Sequence, residues 1–227
     1  MKIAVFGTGV VGKTVGGRLA ELGHEIVFGT RDRAATLART EPDRFGAPPF
    51  QAWLGEHPEV ELASYADAAA AGELIVNATH GAGSLAALTA AGADALGTKI
   101  IIDISNPLDD SSGFPPQLFV KDSDSLAEQL QRAFPQTRVV KTLNTVTASV
   151  MIDPSIVGGG DHTIFVSGDD AEAKETVTEL LRGFGWSDVL DLGDLRTARG
   201  PELYVGFWVR MLPVTGGRGM FNIKVVR

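Results

Sequence analysis

Short, unbroken apolar runs recur along the first two thirds of the chain. A run without polar alternation is typical of a strand that is covered on both faces, as in a parallel sheet. These runs predict strands over 2–6, 25–29, 73–79, 99–105 and 138–143, with a weaker strand over 60–64.

Between the runs, apolar residues recur every three or four positions, which is the spacing of one helix face. Val11, Val15, Leu19 and Leu22 form such a face, and Gly23 ends that helix. Further helices are predicted over 31–40, 65–72 and 83–96, and from the capping box of Ser125 and Glu128 onward. Strands alternating with helices predict an α/β fold, a doubly wound parallel sheet of the Rossmann type.

The pattern shifts near residue 146, where we place a domain boundary. Residues 147–227 predict a small C-terminal α/β extension with a strand, an amphipathic helix over 171–186, a strand over 188–193 and a last helix over 202–212. That last helix carries a wide apolar stripe, which we interpret as core or as a dimer face, or alternatively as a wall of the acceptor pocket: Tyr204, Phe207, Trp208, Met211 and Leu212. The proline-rich segment 42–58 is too apolar for a disordered linker and predicts an ordered surface excursion, whose role the sequence leaves open.

Composition narrows the function classes. The 227 residues are 44% apolar and 21% charged, which is typical of a soluble globular protein. A net charge of −8 argues against nucleic acid or an anionic membrane as partner. The chain has no cysteine, which excludes disulfides and thiolate sites, and its four histidines are scattered, so we expect no metal. The first apolar run is too short for a membrane span, and we expect a cytoplasmic protein.

The stretch GTGVVGKT, residues 7–14, matches two different nucleotide-binding motifs. Gly7, Gly9 and Gly12 match G-x-G-x-x-G, which lays a dinucleotide diphosphate on a helix N-terminus. With Lys13 and Thr14 the same stretch matches a P-loop for a nucleoside triphosphate.

Asp103, at the end of an apolar run, could serve as the magnesium-binding acid of a P-loop enzyme, or could only cap the following turn. Gly9 and Gly16 favour the dinucleotide turn, because a P-loop needs neither of them. In that turn, we expect the Lys13 side chain to reach solvent.

The end of the second strand indicates which dinucleotide would bind. An NAD site carries an acidic residue there, whereas this chain has Thr30 and Arg31. A hydroxyl and a guanidinium suit a 2′-phosphate, so the sequence predicts NADP(H). Alternatively, Asp32 could hold Arg31 in a salt bridge.

Together with these motifs, the segments DISNPL (103–108) and VVKTLNTVTASVM (139–151) give the chain its likeness to one family. The sequence resembles the NADPH-dependent deazaflavin (coenzyme F420) oxidoreductases, which include many predicted dinucleotide-binding proteins. The resemblance implies an NADP-binding domain over 1–146, and a substrate or dimerisation domain over 147–227. It also implies a homodimer in which hydride passes between NADPH and a deazaflavin in the cleft. Our leading hypothesis is an NADPH-dependent oxidoreductase that reduces a planar acceptor such as a deazaflavin, a flavin or a metal chelate.

The resemblance also implies site residues. Thr8 would bind the diphosphate, Arg33 would be a second cation at the 2′-phosphate, and residues 78–80 would lie beside the nicotinamide. The expected cofactor-binding residues are Gly7, Thr8, Gly9, Val10, Val11, Gly12, Thr30, Arg31, Arg33, Ala78, Thr79, His80, Asn106, Pro107 and Asn144. Asn144 could instead cap the next helix.

Hydride transfer needs no nucleophile, and often no acid or base, because the nicotinamide carries the reactivity. His80 is the candidate catalytic residue, as a hydrogen-bond or proton donor, or it only packs at the cofactor. Three alternatives stay open: an imine or ketone reductase with His80 or Thr79 as proton donor, a P-loop nucleotide hydrolase, and an NADPH sensor without turnover.

Overall fold

The predicted apolar runs all form strands in the computed structural model, which describes residues 1–43 and 46–227. The strands, in chain order, are β1 (Lys2–Phe6), β2 (Glu25–Thr30), β3 (Glu61–Ser64), β4 (Leu74–Asn77), β5 (Ile100–Asp103), β6 (Leu108–Asp109), β7 (Gln117–Leu118), β8 (Arg138–Lys141), β9 (Thr163–Gly168) and β10 (Asp188–Asp191). β6 and β7 form a small antiparallel ribbon.

The other eight strands form one sheet in the order β10-β9-β8-β5-β4-β1-β2-β3. Neighbouring strands are parallel except β8 and β9, which are antiparallel. The segment β3-β2-β1-β4-β5-β8 has the strand order of a Rossmann fold, with its topological switch point between β1 and β4. The predicted fold class is therefore confirmed.

Helices cover both faces of this sheet. They are α1 (Val10–Glu21), α2 (Arg33–Ala38), α3 (Phe50–Glu56), α4 (Tyr65–Ala71), α5 (Gly81–Ala91), α6 (Ala93–Leu96), α7 (Leu126–Ala133), α8 (Ala148–Ile152), α9 (Ala171–Gly183) and α10 (Arg199–Met211). The predicted capping box is confirmed at α7, where the Ser125 hydroxyl oxygen accepts the backbone N–H of Glu128 at 3.1 Å.

The side chains of β1 show how the core is divided. Ile3 and Val5 belong to one buried cluster, and Ala4 and Phe6 belong to a second cluster on the opposite face. Such a strand is apolar throughout because both of its faces are covered. On the predicted face of α1, Val15 and Leu19 are buried, whereas Leu22 ends the helix and is 37% exposed.

Beyond residue 146, β9 and β10 extend the Rossmann sheet itself. The C-terminal tail lies along this extension, with the Thr163 N–H donating to the Ile223 carbonyl at 3.0 Å. Because the extension shares one sheet with the preceding residues, the division at residue 146 stays a prediction.

Helix α10 buries a different face from the one predicted. Glu202, Val205 and Val209 lie inside, whereas Phe207 is 55% exposed. Trp208 stacks on Phe221 of the C-terminal tail with ring centroids 5.4 Å apart. The core interpretation is therefore wrong for Phe207, and its role in a dimer face stays a prediction.

The proline-rich segment is anchored by aromatic packing. Phe50 and Trp53 of α3 lie with ring centroids 4.9 and 5.3 Å from that of Phe28 in β2. The segment is thus tied to the sheet beside α1, while Arg44 and Phe45 lie outside the described residues. Among the described residues, no helix combines the length and apolar character that crossing a membrane requires.

Candidate functional site

Two glycines of the turn after β1 are required by the packing of the chain itself. Gly7 has φ +108°, and a Cβ there would lie 2.5 Å from the carbonyl oxygen of Ala78. A Cβ on Gly12 would lie 1.9 Å from the carbonyl oxygen of Gly7. Any side chain at either position would displace backbone, which fixes the close approach of β1, β4 and α1.

Gly9 is different, because the chain does not need a glycine there. Its φ of −79° is open to any residue, and a Cβ would meet nothing within 4 Å. The space lies at the start of α1, which has neither a side-chain cap nor an acidic residue in its first turn. Free N–H groups at the positive end of a helix suit an anion, so this turn fits the diphosphate of a dinucleotide.

The neighbouring expected residues also lie at this turn. Val10 and Val11 form the start of α1, and Thr8 is half-buried just before it. The main-chain N–H groups of the helix start, rather than the valine side chains, are the groups that could bind phosphate.

The prediction that Lys13 reaches solvent is wrong. The side chain is buried, and its ammonium donates to the Pro48 carbonyl, tying α1 to the proline-rich segment. Burial lowers the pKa of Lys13, opposed by the charge of Asp43. Asp103 is also engaged within the protein, 2.8 Å from the Lys141 ammonium. The two groups that a P-loop hydrolase needs are thus committed elsewhere, which disfavours that alternative.

A cavity of about 350 Å³ opens at the end of β2. It is lined by Thr30, Arg31, Asp32, Ala35, Thr36, Arg39 and Tyr65. Arg31 and Arg39 are exposed, and within the described part of the chain neither forms an ion pair. Asp32 does not pair with Arg31, since its carboxylate accepts the Ala35 N–H at 2.9 Å and caps α2. Two unpaired guanidinium groups at this position fit a phosphate on the adenosine ribose.

The hydroxyl of Thr30 fits its expected role less well. The Thr36 hydroxyl donates to the Asp32 carbonyl at 2.7 Å, so the 2.8 Å contact between the two threonine hydroxyls uses the hydrogen of Thr30. Thr30 then has no hydrogen left for a phosphate oxygen. Arg33 is exposed and is not among the residues that line the cavity.

Arg39 lines the cavity together with Arg31 and was not among the residues that the sequence analysis expected there. It comes one helical turn after Ala35, so the two residues lie on the same face of the chain leaving α2. Helical spacing from Ala35 could have identified it.

Ala78, Thr79 and His80 follow β4 at the edge where β1 and β5 also end, so the structure brings them to the expected edge. His80 is exposed, with its Nε2 3.7 Å from an oxygen of Asp110. The Thr79 hydroxyl donates to Asn77 Oδ1 at 2.7 Å and lies 2.8 Å from the Ser84 hydroxyl.

A buried polar chain continues from Asn77. Its Nδ2 donates to Asp103 Oδ1 at 2.8 Å, and the Lys141 ammonium lies 2.8 Å from Asp103 Oδ2 and 3.0 Å from Glu202 Oε1. Burial alone would lower the pKa of Lys141, but the carboxylates of Asp103 and Glu202 outweigh it and raise the pKa above its usual value. Lys141 is thus a fixed positive charge at neutral pH.

Asn106 and Asn144 bind each other. The Asn144 amide donates to Asn106 Oδ1 and to the Pro201 carbonyl, both at 3.0 Å, and the Asn106 amide donates to the Asn144 carbonyl at 3.0 Å. The alternative that Asn144 caps the next helix is wrong, because Thr147 holds the N-cap position of α8. The Pro107 carbonyl accepts the Phe119 N–H at 2.9 Å and shapes the turn into the ribbon.

The sequence analysis missed Asn77, Lys141 and Glu202 as parts of this edge. Lys141 within the apolar run 138–143 was a signal, because a buried ammonium needs a buried partner. Within the described residues, no group of three or more His, Asp or Glu could hold a metal ion.

Comparisons with known proteins identify the family of this chain. A family model described as NADP oxidoreductase, coenzyme F420-dependent, matches residues 2–107. A crystal structure from Arthrobacter sp. FB24, described as a candidate F420-dependent NADP reductase, is 57% identical, with a TM-score of 0.96 over 100% of both chains.

Two curated relatives are more distant. The F420-dependent NADP reductase of Methanothermobacter marburgensis is 27% identical over 88% of this chain and 87% of its own length. The rat metalloreductase STEAP3 is 30% identical over 93% of this chain, which spans only 37% of that protein. The chain belongs to the family of coenzyme F420-dependent NADP oxidoreductases, and it is an NADP-dependent oxidoreductase.

Proposed function

We propose that the protein transfers hydride between NADPH and the deazaflavin coenzyme F420. The observation that carries the NADP part is the cavity after β2, where Arg31 and Arg39 have no partner in the described residues. The F420 part rests on the whole-length likeness to the Arthrobacter protein.

The chain's own groups divide the work of holding the cofactor. The N–H groups of Val10, Val11 and Gly12 would bind the diphosphate at the open space over Gly9. Arg31 and Arg39 would bind the 2′-phosphate, with Arg33 as a more distant cation. Ala78, Thr79 and His80, with Asn106, Pro107 and Asn144 in the loops after β5 and β8, would shape the nicotinamide end. When bound, the nicotinamide supplies the hydride, and the protein supplies position and a dry site.

An acceptor that needs no proton from the protein fits this end best. The Thr79 hydrogen is used inside the protein, which leaves His80 as the candidate donor among the residues considered above. An imine or ketone reductase would depend on that exposed histidine. A ferric chelate is a second candidate acceptor, favoured by the 30% identity to the rat metalloreductase.

Anaerobic assays of NADPH oxidation test the acceptor directly. We expect turnover with coenzyme F420 at rates well above those with free flavin, a ferric chelate or a cyclic imine. Turnover of the imine without F420 reduction would contradict the proposal. Tight NADPH binding without turnover of any acceptor would instead indicate a sensor.

The proposed homodimer uses the apolar side of α10, where Leu203 and Phe207 are 40% and 55% exposed. Sedimentation of the wild type and a Phe207→Lys variant tests it, since only a dimer through this face would dissociate in the variant. The cytoplasmic location and the separate role of residues 147–227 stay predictions.

A further inference from the structure

A chain of polar side chains runs from the loop after β4 into the core of the sheet. We call it the polar relay: Thr79, Asn77, Asp103, Lys141 and Glu202. The last four residues are each no more than 2% exposed. Burying polar and charged groups is costly unless each finds a partner, so their arrangement needs an explanation.

The charged end of the relay fixes the direction of every hydrogen bond in it. The Lys141 ammonium can only donate, and it does so to Asp103, Glu202 and the Ser105 carbonyl. Asp103 Oδ2 accepts from this ammonium and Oδ1 accepts the Ser105 N–H at 3.2 Å, so the oxygen that faces Asn77 is an acceptor. Asn77 must therefore turn its NH₂ group to Asp103 and its carbonyl oxygen to Thr79.

The hydroxyl of Thr79 is fixed by the same logic. Asn77 Oδ1 is an acceptor, so the Thr79 hydrogen points inward along the 2.7 Å bond. The 2.8 Å contact with Ser84 must then use the hydrogen of Ser84. What Thr79 can offer to a ligand is an oxygen lone pair, not a hydrogen.

We propose that Asn77 is a positioning residue for the cofactor. Asn77 fixes the Thr79 hydroxyl as a hydrogen-bond acceptor for the N–H group of the nicotinamide carboxamide. The inference rests on the proposed function, because that function places the nicotinamide beside residues 78–80. It deepens that function in one respect. A Thr79 hydroxyl that cannot donate cannot protonate the acceptor, so the site is built for an acceptor reduced without help from that hydroxyl.

Asn77→Asp tests the proposal because it makes the relay sensitive to pH. The new carboxyl would face the Asp103 carboxylate, and like charges raise the pKa of one of the pair. Above that pKa, the new group cannot donate to Asp103, so the two carboxylates repel each other and the side chain that holds Thr79 in place is displaced. Below it, the neutral acid donates to Asp103 and still accepts from Thr79, which restores the original pattern.

The groups around position 77 are the same in the wild type and in Asn77→Asp, so they do not account for a pH response that only the variant shows. Lys141 faces Asp103 from β8, Glu202 faces Lys141 from α10, and Ser84 carries no charge. His80 and Asp110 lie at the surface of the loop, where the wild type has them too. The wild type is therefore the control for any other effect of pH on binding.

Calorimetry with two ligands separates positioning from general damage. Adenosine 2′,5′-bisphosphate carries only the phosphate end, whereas NADPH carries both ends. We expect Asn77→Asp to bind NADPH about tenfold more weakly at alkaline pH, the size of one lost hydrogen bond, and to recover as the pH falls. Binding of the bisphosphate should match the wild type throughout.

Thr79→Val and Thr79→Ser form a matched pair. Thr79→Val removes the hydroxyl, so its loss of NADPH affinity should be the same at every pH. Thr79→Ser keeps the hydroxyl and should bind NADPH as the wild type does. Equal loss of both ligands, or no loss of NADPH affinity in Asn77→Asp and Thr79→Val, would overturn the inference. If the wild type itself fails to bind the bisphosphate, the proposed function fails instead.

Discussion

The two ends of the proposed cofactor cleft differ in how they use charge. At the adenosine end, Arg31 and Arg39 stand exposed around a cavity, without ion-pair partners in the described residues. At the nicotinamide end, Asp103, Lys141 and Glu202 are buried and paired with one another. Both ends lie at carboxyl ends of strands of one sheet, so the difference does not come from topology.

The difference separates two roles of charged groups in a site: some bind the ligand, and others orient the side chains that contact it. An unpaired guanidinium can direct its N–H donors to a bound phosphate, because it has no ion pair within the protein to break first. The buried Lys141 ammonium is paired within the protein and does not bind the ligand itself. Through Asp103 and Asn77, it fixes the direction of the Thr79 hydroxyl. Variants at each end should therefore fail in different assays.

Lys141→Met should produce the largest effect. It leaves two carboxylates buried without their cation, and breaking such a pair costs about 3–5 kcal/mol of unfolding free energy. Urea unfolding would measure the loss. The matched control at the other end is Arg31→Met, which should change stability by less than about 0.5 kcal/mol, because Arg31 is exposed and unpaired. Similar losses in both variants would remove the contrast between the ends.

Arg31→Ala should weaken the cofactor rather than the fold. Losing charge-assisted hydrogen bonds worth about 1.5–3 kcal/mol lowers NADPH affinity by roughly ten- to a hundredfold. NADH affinity should stay unchanged, because NADH has no 2′-phosphate. Arg33→Ala serves as the control and should lose much less, since Arg33 does not line the cavity. A larger loss for Arg33 would reassign the phosphate site.

Gly9→Ala and Gly12→Ala test whether the open space in the turn belongs to a ligand. Gly12→Ala should cost about 1–3 kcal/mol of stability, because its Cβ would meet the Gly7 carbonyl at 1.9 Å. Gly9→Ala should leave the unfolding temperature unchanged and weaken NADPH binding, since its Cβ enters free space. Thermal unfolding with and without NADPH separates the two. Unchanged NADPH affinity in Gly9→Ala would contradict binding of the diphosphate at this turn.

The sequence predicted what depends on local patterns. Unbroken apolar runs such as 2–6 identified the strands, because both faces of this sheet are covered, and the glycine spacing identified the turn. It did not predict the Lys141–Glu202 ion pair, since the two residues are far apart in the chain and meet only when α10 packs on the sheet. Lys13 was misplaced for a similar reason: its acceptor, the Pro48 carbonyl, lies on the proline-rich segment, which carries no periodic signal.

Lys13→Ala should have the smallest effect. The variant loses one hydrogen bond to the Pro48 carbonyl, worth about 1 kcal/mol of stability, and keeps NADPH turnover close to that of the wild type. Steady-state kinetics would check it, with a nucleotide hydrolysis assay beside it. Abolished turnover would revive the P-loop interpretation.

The central claim is that the cleft holds NADPH through the phosphate at its adenosine end. Calorimetric titration of the wild-type protein with NADPH and with NADH tests it most directly. We expect NADPH to bind at least about tenfold more tightly, a difference of about 1.4 kcal/mol. Equal affinities for the two cofactors would contradict the account.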